Sequence, residues 1–436
     1  MVSYISGSEV KTEPNLLFDK SDSSAVHSQA YWGLRKFGPY DKDVLKKINL
    51  AIITPSSKLE DVRRLIQDLN NGTPIMPGGM PRFFRCHIDV VDELTIESTT
   101  LPEYQHVAQD FVNGFDPKEI DVVLAYIPKS SRYFTNTPYY RLKAILATHG
   151  FPSQMITENT FTNLKWSYLN LASAIFSKAG GVPWVLESEM KNTDILIGIS
   201  ASNLVSKKVG QSSSPRYVGY VNVFDSYGKW MFFEGTAKPY SKENRLEQFS
   251  ELLNRALSKF KSEKGYYPQG IVIHYYKKWG KTERNYVLKI LDDLLDEYNV
   301  CFVSIDDSHP FRLFDMSTPD GSFPRGSYVF LSENEILLST TGYAEIGSKR
   351  MGTPKLLRIR AIQHPEAFIT LDEIAEQVLA LTKLNWATAT PIVREPVTLL
   401  FSREIAYLTA AVSEQEWESL NKSEVNVVLN KKPWFI

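Results

Sequence analysis

The sequence predicts an α/β protein in which a doubly wound parallel sheet is followed by a second, mixed α/β unit. Between residues 48 and 179, short apolar runs alternate with amphipathic stretches, which is the pattern of successive βαβ units. After Gly180-Gly181 three apolar runs follow one another without an intervening helix. A chain of 436 residues is long enough for about two to three domains.

The first unit is predicted from its apolar periodicity. Predicted strands cover 48–53, 84–91, 121–127 and 154–156, and predicted helices cover 58–69, 102–113, a segment from Pro138 onward, and 161–179. Thr137 and Pro138 are typical of the N-cap and first position of a helix. Ligands of such sheets bind beyond the carboxyl ends of the strands, so the segment after residue 127 is the expected ligand side.

The second unit begins after Pro183, which cannot continue the preceding helix. Apolar runs predict strands at 194–199, 216–223, 229–234, 270–275 and 300–305, with helices at 242–259 and 283–297. A turn at Asp225-Ser226-Tyr227-Gly228 predicts a hairpin between the second and third strands. The predicted element order is three strands, a helix, a strand, a helix and a strand. Ribonuclease-H-like folds have this order, and the analogy concerns the fold and not the function.

Charge is balanced overall and uneven locally. The chain has 49 Lys and Arg against 50 Asp and Glu, so its net charge gives no general attraction to nucleic acid or membrane. Within 122–186 the only acid is Glu158, and the cations are Lys129, Arg132, Arg141, Lys143, Lys165 and Lys178. Tyr139 and Lys143 share one face of the helix that starts at Pro138. A phosphate site at this helix start is one interpretation, and a solvated basic helix start is the other.

Cysteine content and the absence of apolar spans indicate the compartment. Cys86 and Cys301 form neither a disulfide framework nor a metal knuckle, which favours a reducing cytosol. The first residues lack the basic and apolar regions of a signal peptide. The least charged helical candidate, 166–177, is too short and polar to cross a bilayer. We therefore expect a soluble, cytoplasmic protein.

Several short motifs carry a family resemblance that spans nearly the whole chain. They are Gly38-Pro39-Tyr40, Tyr139-Tyr140-Arg141-Leu142-Lys143, Pro152-Ser153-Gln154, Ser177-Lys178-Ala179-Gly180-Gly181, Ser308-His309-Pro310-Phe311, Thr340-Thr341-Gly342 with Gly352-Thr353-Pro354, Leu384-Asn385-Trp386, Pro396-Val397-Thr398 and Pro433-Trp434-Phe435-Ile436. In this order and spacing the chain resembles the short prokaryotic Argonautes, and especially their archaeal Piwi-type members. The resemblance implies a Rossmann-like MID domain and a ribonuclease-H-like PIWI domain without PAZ. The corresponding ranges are an N-terminal segment (1–45) packing on PIWI, MID (46–180) and PIWI (181–436).

The resemblance also implies a binding site for the 5′-phosphate of a short guide strand. In that family the phosphate is held by a Tyr and a Lys four residues apart, a Gln after the following loop, and a second Lys. The matching residues are Tyr139, Lys143, Gln154 and Lys178. A divalent ion, Mg²⁺ or Mn²⁺, is expected to bridge the guide phosphates and the carboxylate of Ile436, with Gln154 nearby.

Metal-binding acids expected of a nuclease are missing from the matching positions of the PIWI half. Active members hold two metal ions with a cluster of acids, and the matching residues here are Ser200, Tyr276 and Arg403. We therefore expect guided binding of a target without cleavage, and no enzyme activity. The alternative is a guided endonuclease that uses displaced acids, with Asp194, Asp225, Asp306 and Asp307 as candidates.

Expected partners follow from the same resemblance. They are a short 5′-phosphorylated guide (RNA more than DNA), a complementary target (DNA more than RNA), and separately encoded effector proteins in defence against invading nucleic acid. A second copy of the chain is a further candidate partner, and insertion into a membrane is not expected. A small-ligand-binding doubly wound domain fused to a scaffold is the remaining alternative.

Overall fold

A computed structural model describes residues 7–10, 13–129, 136–203, 217–342, 353–389, 393–409 and 411–436, without the side chains of Asn203, Ser423 and Glu424. Three residues used above, Arg132 of the basic segment, Arg216 at a predicted strand start and Gly352 of one motif, lie outside these ranges. None of the helices within them is long and apolar enough to cross a membrane.

The N-terminal segment contributes short strands to later parts of the chain. Its elements are β1 (Gly7–Glu9), β2 (Leu16–Leu17), β3 (Val26–His27) and α1 (Ala30–Phe37). Here β1 pairs antiparallel with a strand at Ser327–Ser332, and β2 pairs with both β3 and a strand at Val185–Leu186. The buried ammonium of Lys383 donates hydrogen bonds to the carbonyl oxygens of Pro14 and Ser28, both at 2.6 Å. These contacts hold the segment against the second half of the chain.

A four-stranded parallel sheet with helices on both faces forms the first unit. Its elements are β4 (Lys47–Pro55), α2 (Leu59–Asn71), α3 (Gly79–Phe83), β5 (His87–Ile96), α4 (Leu101–Gly114), β6 (Val122–Tyr126), α5 (Pro138–Thr148), β7 (Ser153–Ile156), α6 (Glu158–Thr162) and α7 (Leu164–Lys178). The strand order is β5-β4-β6-β7, and each neighbouring pair is parallel. This confirms the predicted doubly wound fold.

Two predicted elements of this unit differ in the structure. The helix predicted at 161–179 is two helices, α6 and α7, that meet at Asn163. The Asn163 side-chain amide donates to the carbonyl oxygen of Asn159 at 3.1 Å, a local bond that competes with a continuous helix. The strand predicted to end at 91 extends to Ile96, because β5 pairs with β4 as far as Pro55 despite the acids Asp92 and Glu93 along it.

A nine-stranded mixed sheet dominates the second half. The elements are β8 (Val185–Leu186), β9 (Ile195–Asn203), β10 (Tyr217–Asp225), β11 (Trp230–Gly235), α8 (Arg245–Lys264), β12 (Gly270–Tyr275), α9 (Lys281–Leu294), β13 (Asn299–Asp306), β14 (Ser327–Ser332), β15 (Glu335–Leu338), β16 (Leu357–His364), α10 (Leu371–Leu381), α11 (Val397–Thr409), α12 (Glu414–Leu420) and α13 (Ser423–Leu429). The order is β1-β14-β15-β16-β13-β12-β9-β10-β11, and its last five strands form the predicted ribonuclease-H-like arrangement.

Close packing fixes helix α11 against strand β9. A Cβ atom on Gly198 would lie 2.5 Å from the carbonyl oxygen of Thr398, so only glycine permits this approach. The Thr398 hydroxyl is also 2.9 Å from Nδ1 of His274, which is fully buried in β12. Helix α11 is therefore held in one place above the sheet.

The last residues of the sequence are packed into an aromatic cluster. The ring of Phe435 lies 5.2 Å from that of Phe401 on α11 and 5.9 Å from that of Trp230 on β11. Trp434 and Phe435 are each 2% exposed. Replacing a buried Phe or Trp by Ala typically costs about 3–5 kcal/mol of folding free energy. The burial of Trp434 and Phe435 therefore holds the adjoining Ile436 beside the first unit.

Candidate phosphate-binding site

The four residues predicted to hold a phosphate surround one cavity of ≈ 380 Å³ between the two units. Tyr139 and Lys143 come from the first turns of α5, Gln154 from β7 and Lys178 from the last turn of α7. Ile436 completes the wall from the far end of the sequence. Residues 139, 143, 154, 178 and 436 are thus brought together as the family resemblance implies.

The start of α5 supplies backbone donors. Thr137 occupies the N-cap position with extended backbone and Pro138 is at the start of the helix, as predicted. The Thr137 hydroxyl does not cap the helix, contrary to the usual role of threonine at this position. The first N–H groups of a helix carry partial positive charge, so an anion is favoured here.

Lys143 is a buried cation directed toward the last residues. It is 3% exposed, and its ammonium donates to the carbonyl oxygen of Phe435 at 3.0 Å and to an oxygen of Ile436 at 3.3 Å. The same ammonium lies 5.5 Å from the centre of the Tyr139 ring. The packing of Phe435 therefore positions one of the acceptors of Lys143.

Lys178 is buried more completely. It is 1% exposed, and its ammonium donates to Oε1 of Gln154 at 2.7 Å. Burial, and then the nearby charge of Lys143, lower the pKa of Lys178 well below its usual value. A cation near a helix C-terminus is usually solvated, but this one faces a cavity that it shares with a second cation. Two ammonium groups in one cavity are the complement of a multiply charged anion.

The oxygens around this cavity suit a metal ion only in part. Besides Ile436, Glu404 lines the cavity, whereas the described ranges contain no group of three or more His, Cys, Asp or Glu able to hold a metal. Mg²⁺ commonly takes one or two protein carboxylates and completes its shell with phosphates and water. The residues therefore fit an ion that a phosphate ligand brings or shares. Such an ion would supply positive charge between phosphate oxygens and Ile436.

A second cavity, of ≈ 520 Å³, contains the three positions where nuclease acids were expected. Ser200, Tyr276 and Arg403 line it together with the acids Asp306, Asp307 and Glu395. Arg403 pairs with Glu395, and the guanidinium of Arg394 lies 2.5 Å from a carboxylate oxygen of Asp307. Burial raises the pKa of Glu395 despite the Arg403 charge.

The other candidate acids have structural roles. The Asp194 carboxylate accepts hydrogen bonds from the backbone N–H groups of Gln269 and Gly270 at 2.8 and 2.9 Å. Asp225 accepts from two N–H groups of its own hairpin turn and lies 3.1 Å from the ammonium of Lys264. Each of these bonds accounts for the acid as a turn or strand-start residue.

Helix α11 forms a wall of both cavities, a feature that the sequence reasoning missed. Arg403 lines both cavities, and Leu400 and Glu404 line the first. Residues at spacings of three and four share one face of a helix, so the spacing could have suggested a common surface. Asn385 and Ala387, from the loop after α10, also line the first cavity and were not predicted.

Comparisons with known proteins agree with this architecture. The family model described as Piwi domain matches residues 123–414. The chain is 23% identical over 461 residues to a protein argonaute of Cereibacter sphaeroides, covering 96% of this chain and 58% of that protein. It is 24% identical over 427 residues to a Piwi protein of Archaeoglobus fulgidus, covering 93% of each.

Solved structures show the same fold. An Argonaute of Clostridium butyricum bound to a guide DNA and a 19-mer target DNA superposes with a TM-score of 0.71 at 19% identity, over 93% of this chain and 53% of that one. An Argonaute of Aquifex aeolicus with externally bound siRNA gives a TM-score of 0.66 at 20% identity, over 92% of this chain and 53% of that one. The chain thus spans about half the length of these structures. Since the Piwi-domain match covers more than half of its residues, the chain belongs to the Piwi-domain family, whose members similar to it are prokaryotic Argonaute and Piwi proteins.

Proposed function

We propose that this protein binds a short guide strand by its 5′-phosphate and captures a complementary target by base pairing, without cutting it. The observation that carries the proposal is the pair of buried ammonium groups, Lys143 and Lys178, on one cavity beside the start of α5. Burial of an amine disfavours its charged form, and a terminal phosphate with two negative charges would favour the charged form of both lysines.

The surrounding groups suit the end of a strand better than a free phosphate ion. The Tyr139 ring lines the same cavity and can stack on the first base, while the N–H groups of α5 face the phosphate. A 5′-hydroxyl strand lacks this charge, so the proposal expects the site to prefer a 5′-phosphate strand. A Mg²⁺ or Mn²⁺ ion shared between guide phosphates and Ile436 is part of this proposal.

Sequence recognition then resides in the guide, because the protein contacts backbone and base pairing reads the target. Structures of similar proteins contain nucleic acid: the Clostridium butyricum structure has a guide DNA and a target DNA, and the Aquifex aeolicus structure has an externally bound siRNA. The resemblance of the sequence motifs favours an RNA guide, a DNA target and a cytoplasmic role in defence with separate effector proteins.

The proposal that the target stays uncut rests on the second cavity. Ser200 and Tyr276 offer neutral oxygens, and Arg403 places a cation where the resemblance expects an acid. The charge of Arg403 repels divalent metal ions, and Arg403 also forms an ion pair with Glu395. Two-metal cleavage requires several carboxylates that share the ions, and this arrangement opposes that geometry.

Target capture is the test of this function. The protein is loaded with a 5′-phosphorylated guide and mixed with labelled complementary or scrambled target in Mg²⁺, and retention and strand length are measured. The proposal expects retention of the full-length complementary target and release of the scrambled one. Equal retention of both targets would contradict it.

A guided endonuclease that uses Asp306, Asp307 and Glu395 is the second candidate, since these acids share one cavity. The same assay in Mn²⁺ as well as Mg²⁺ separates the two functions. Site-specific cuts that disappear in Asp306→Asn and Asp307→Asn variants would establish the nuclease and refute the proposal of an uncut target.

A further inference from the structure

A third cavity, of ≈ 640 Å³, lies where the N-terminal segment, the stretch between β8 and β9, and helix α10 meet. Its wall, as far as the described residues form it, contains seven carboxylates and one ammonium, that of Lys191. We call this cavity the acidic groove. It is separate from the phosphate-binding cavity, and no residue lines both.

Among the residues that the structure describes, most acids of the acidic groove have no cation as partner. Glu13 pairs with Arg325 and Lys383, and Glu373 lies 3.6 Å from Lys191. The other five acids are exposed and form no ion pair with a cation of the described ranges: Glu9, Glu187, Glu189, Asp372 and Glu376. A concave surface with this charge repels nucleic acid and attracts cationic groups.

A buried acceptor in the groove wall also lacks a donor. Gln377 on α10 lines the groove and is 4% exposed. Its amide nitrogen donates to the hydroxyl of Thr193 at 2.8 Å, while its Oε1 accepts no hydrogen bond from any residue that the structure describes. This oxygen is itself buried, so it belongs to the packed wall of the groove and is not a contact offered to a ligand.

The groove adjoins the edge of the nine-stranded sheet. Strand β1 is the terminal strand of that sheet, its three residues are exposed, and Glu9 at its end lines the groove. Within the described ranges, β14 is the strand that pairs with β1, and the outer edge of β1 carries no further strand. An exposed edge offers backbone donors and acceptors to an extended segment of another chain.

From the charge complementarity and the unpaired sheet edge, we infer that the acidic groove binds an extended Lys- or Arg-rich segment of another protein, added as a strand beside β1. The backbone of that segment pairs with β1, and its cations face the exposed acids. The inference goes beyond guide binding and does not rest on it, because the groove excludes a polyanion.

A model peptide tests the inference on the full chain. The probe is a fluorescein-labelled peptide of about ten alternating Lys and Thr residues, long enough for one strand. Binding is followed by fluorescence anisotropy for the wild type and for the triple variant Glu9→Gln, Glu187→Gln, Glu376→Gln. The control triple Asp293→Asn, Asp296→Asn, Glu297→Gln removes equal charge from exposed acids at and beyond the end of α9.

The inference expects binding that the groove variant weakens about tenfold and the control leaves unchanged, since each exposed charge contributes about 0.5 kcal/mol. Methylation of alternate peptide nitrogens should weaken binding as well. No binding, equal binding to both triple variants, or equal binding of the methylated peptide would overturn it. Self-association that only the groove variant abolishes would assign the groove to a second copy, and 5′-hydroxyl DNA that competes with the peptide would assign it to nucleic acid. Either result overturns the inference.

Discussion

Binding of a 5′-phosphorylated strand should add a proton to Lys178. In the empty protein burial and the charge of Lys143 lower the pKa of Lys178 well below its usual value. A phosphate dianion in the cavity favours the charged ammonium and raises that pKa. At a pH between these two pKa values, Lys178 is neutral in the unliganded protein and protonated in the complex, so binding takes up close to one proton. Below the lower pKa both states are charged, and above the higher one both are neutral, so uptake vanishes on either side.

Within this pH window the affinity should fall about tenfold for each unit of rising pH. The phosphate has its own pKa near 6, so the measurement begins above about pH 7, where the phosphate is already a dianion. Calorimetry in buffers of different ionisation enthalpy gives the number of protons directly.

Matched variants assign the proton to one residue. Lys178→Met should abolish the uptake and weaken binding of the 5′-phosphate strand about tenfold to a hundredfold, the worth of one charge-assisted hydrogen bond. Lys118→Met removes an exposed charge near the opposite end of β6 and should leave both quantities unchanged. Equal proton uptake by the wild type and Lys178→Met, or by 5′-phosphate and 5′-hydroxyl strands, would refute the reasoning.

Three further outcomes follow from the described contacts. Lys178→Met should raise the stability of the unliganded protein by about 1–2 kcal/mol, measured as the urea midpoint, because burial disfavours the protonated amine and the variant does not carry that cost. A lower midpoint would show that the hydrogen bond to Gln154 outweighs this cost. Glu416→Gln should cost about 2 kcal/mol at neutral pH, because Glu416 lies 2.6 Å from the partly buried Arg141 between the two units. Burial raises the pKa of Glu416, but the hydrogen bonds from Arg141 and Ser413 and the charge of Arg141 together outweigh it and bring the pKa from 4.5 to about 2. The stability difference should therefore shrink as the pH falls through that range, and a difference independent of pH would contradict the assignment. Phe435→Ala should lower the free energy of unfolding by about 3–5 kcal/mol. It should also weaken binding of a 5′-phosphate strand, because it removes packing that holds an acceptor of Lys143 in place. Unchanged binding of that strand would show that this packing does not contribute to the site.

The parallel sheet of the first unit could be predicted because its signals are local. Apolar runs between amphipathic stretches specify strands and helices, and the helix start at Thr137 and Pro138 carries its own signature. The break at Asn163 could not be read from periodicity, because one side-chain hydrogen bond replaces a helical one there. The C-terminal half of β5 could not be predicted either, because acids interrupt its apolar pattern and pairing with β4 sets its extent.

The candidate site was predictable in its members but not in its electrostatics. The motifs named Tyr139, Lys143, Gln154 and Lys178, and the structure places all of them on one cavity. That Lys178 is fully buried depends on tertiary contacts, and its position in the last turn of α7 suggested a solvated side chain instead. The motifs placed Arg403 only at a position of the nuclease site. That it also lines the phosphate-binding cavity depends on how α11 lies over the sheet.

The measurement that tests the central claim most directly compares 5′-phosphate and 5′-hydroxyl strands of one sequence on the wild type, Lys143→Ala and Lys118→Ala. The account predicts that the wild type and Lys118→Ala prefer the phosphate by about a hundredfold, and that Lys143→Ala loses at least about tenfold of that preference. Equal affinity of the wild type for both strands would contradict a 5′-phosphate site at this cavity.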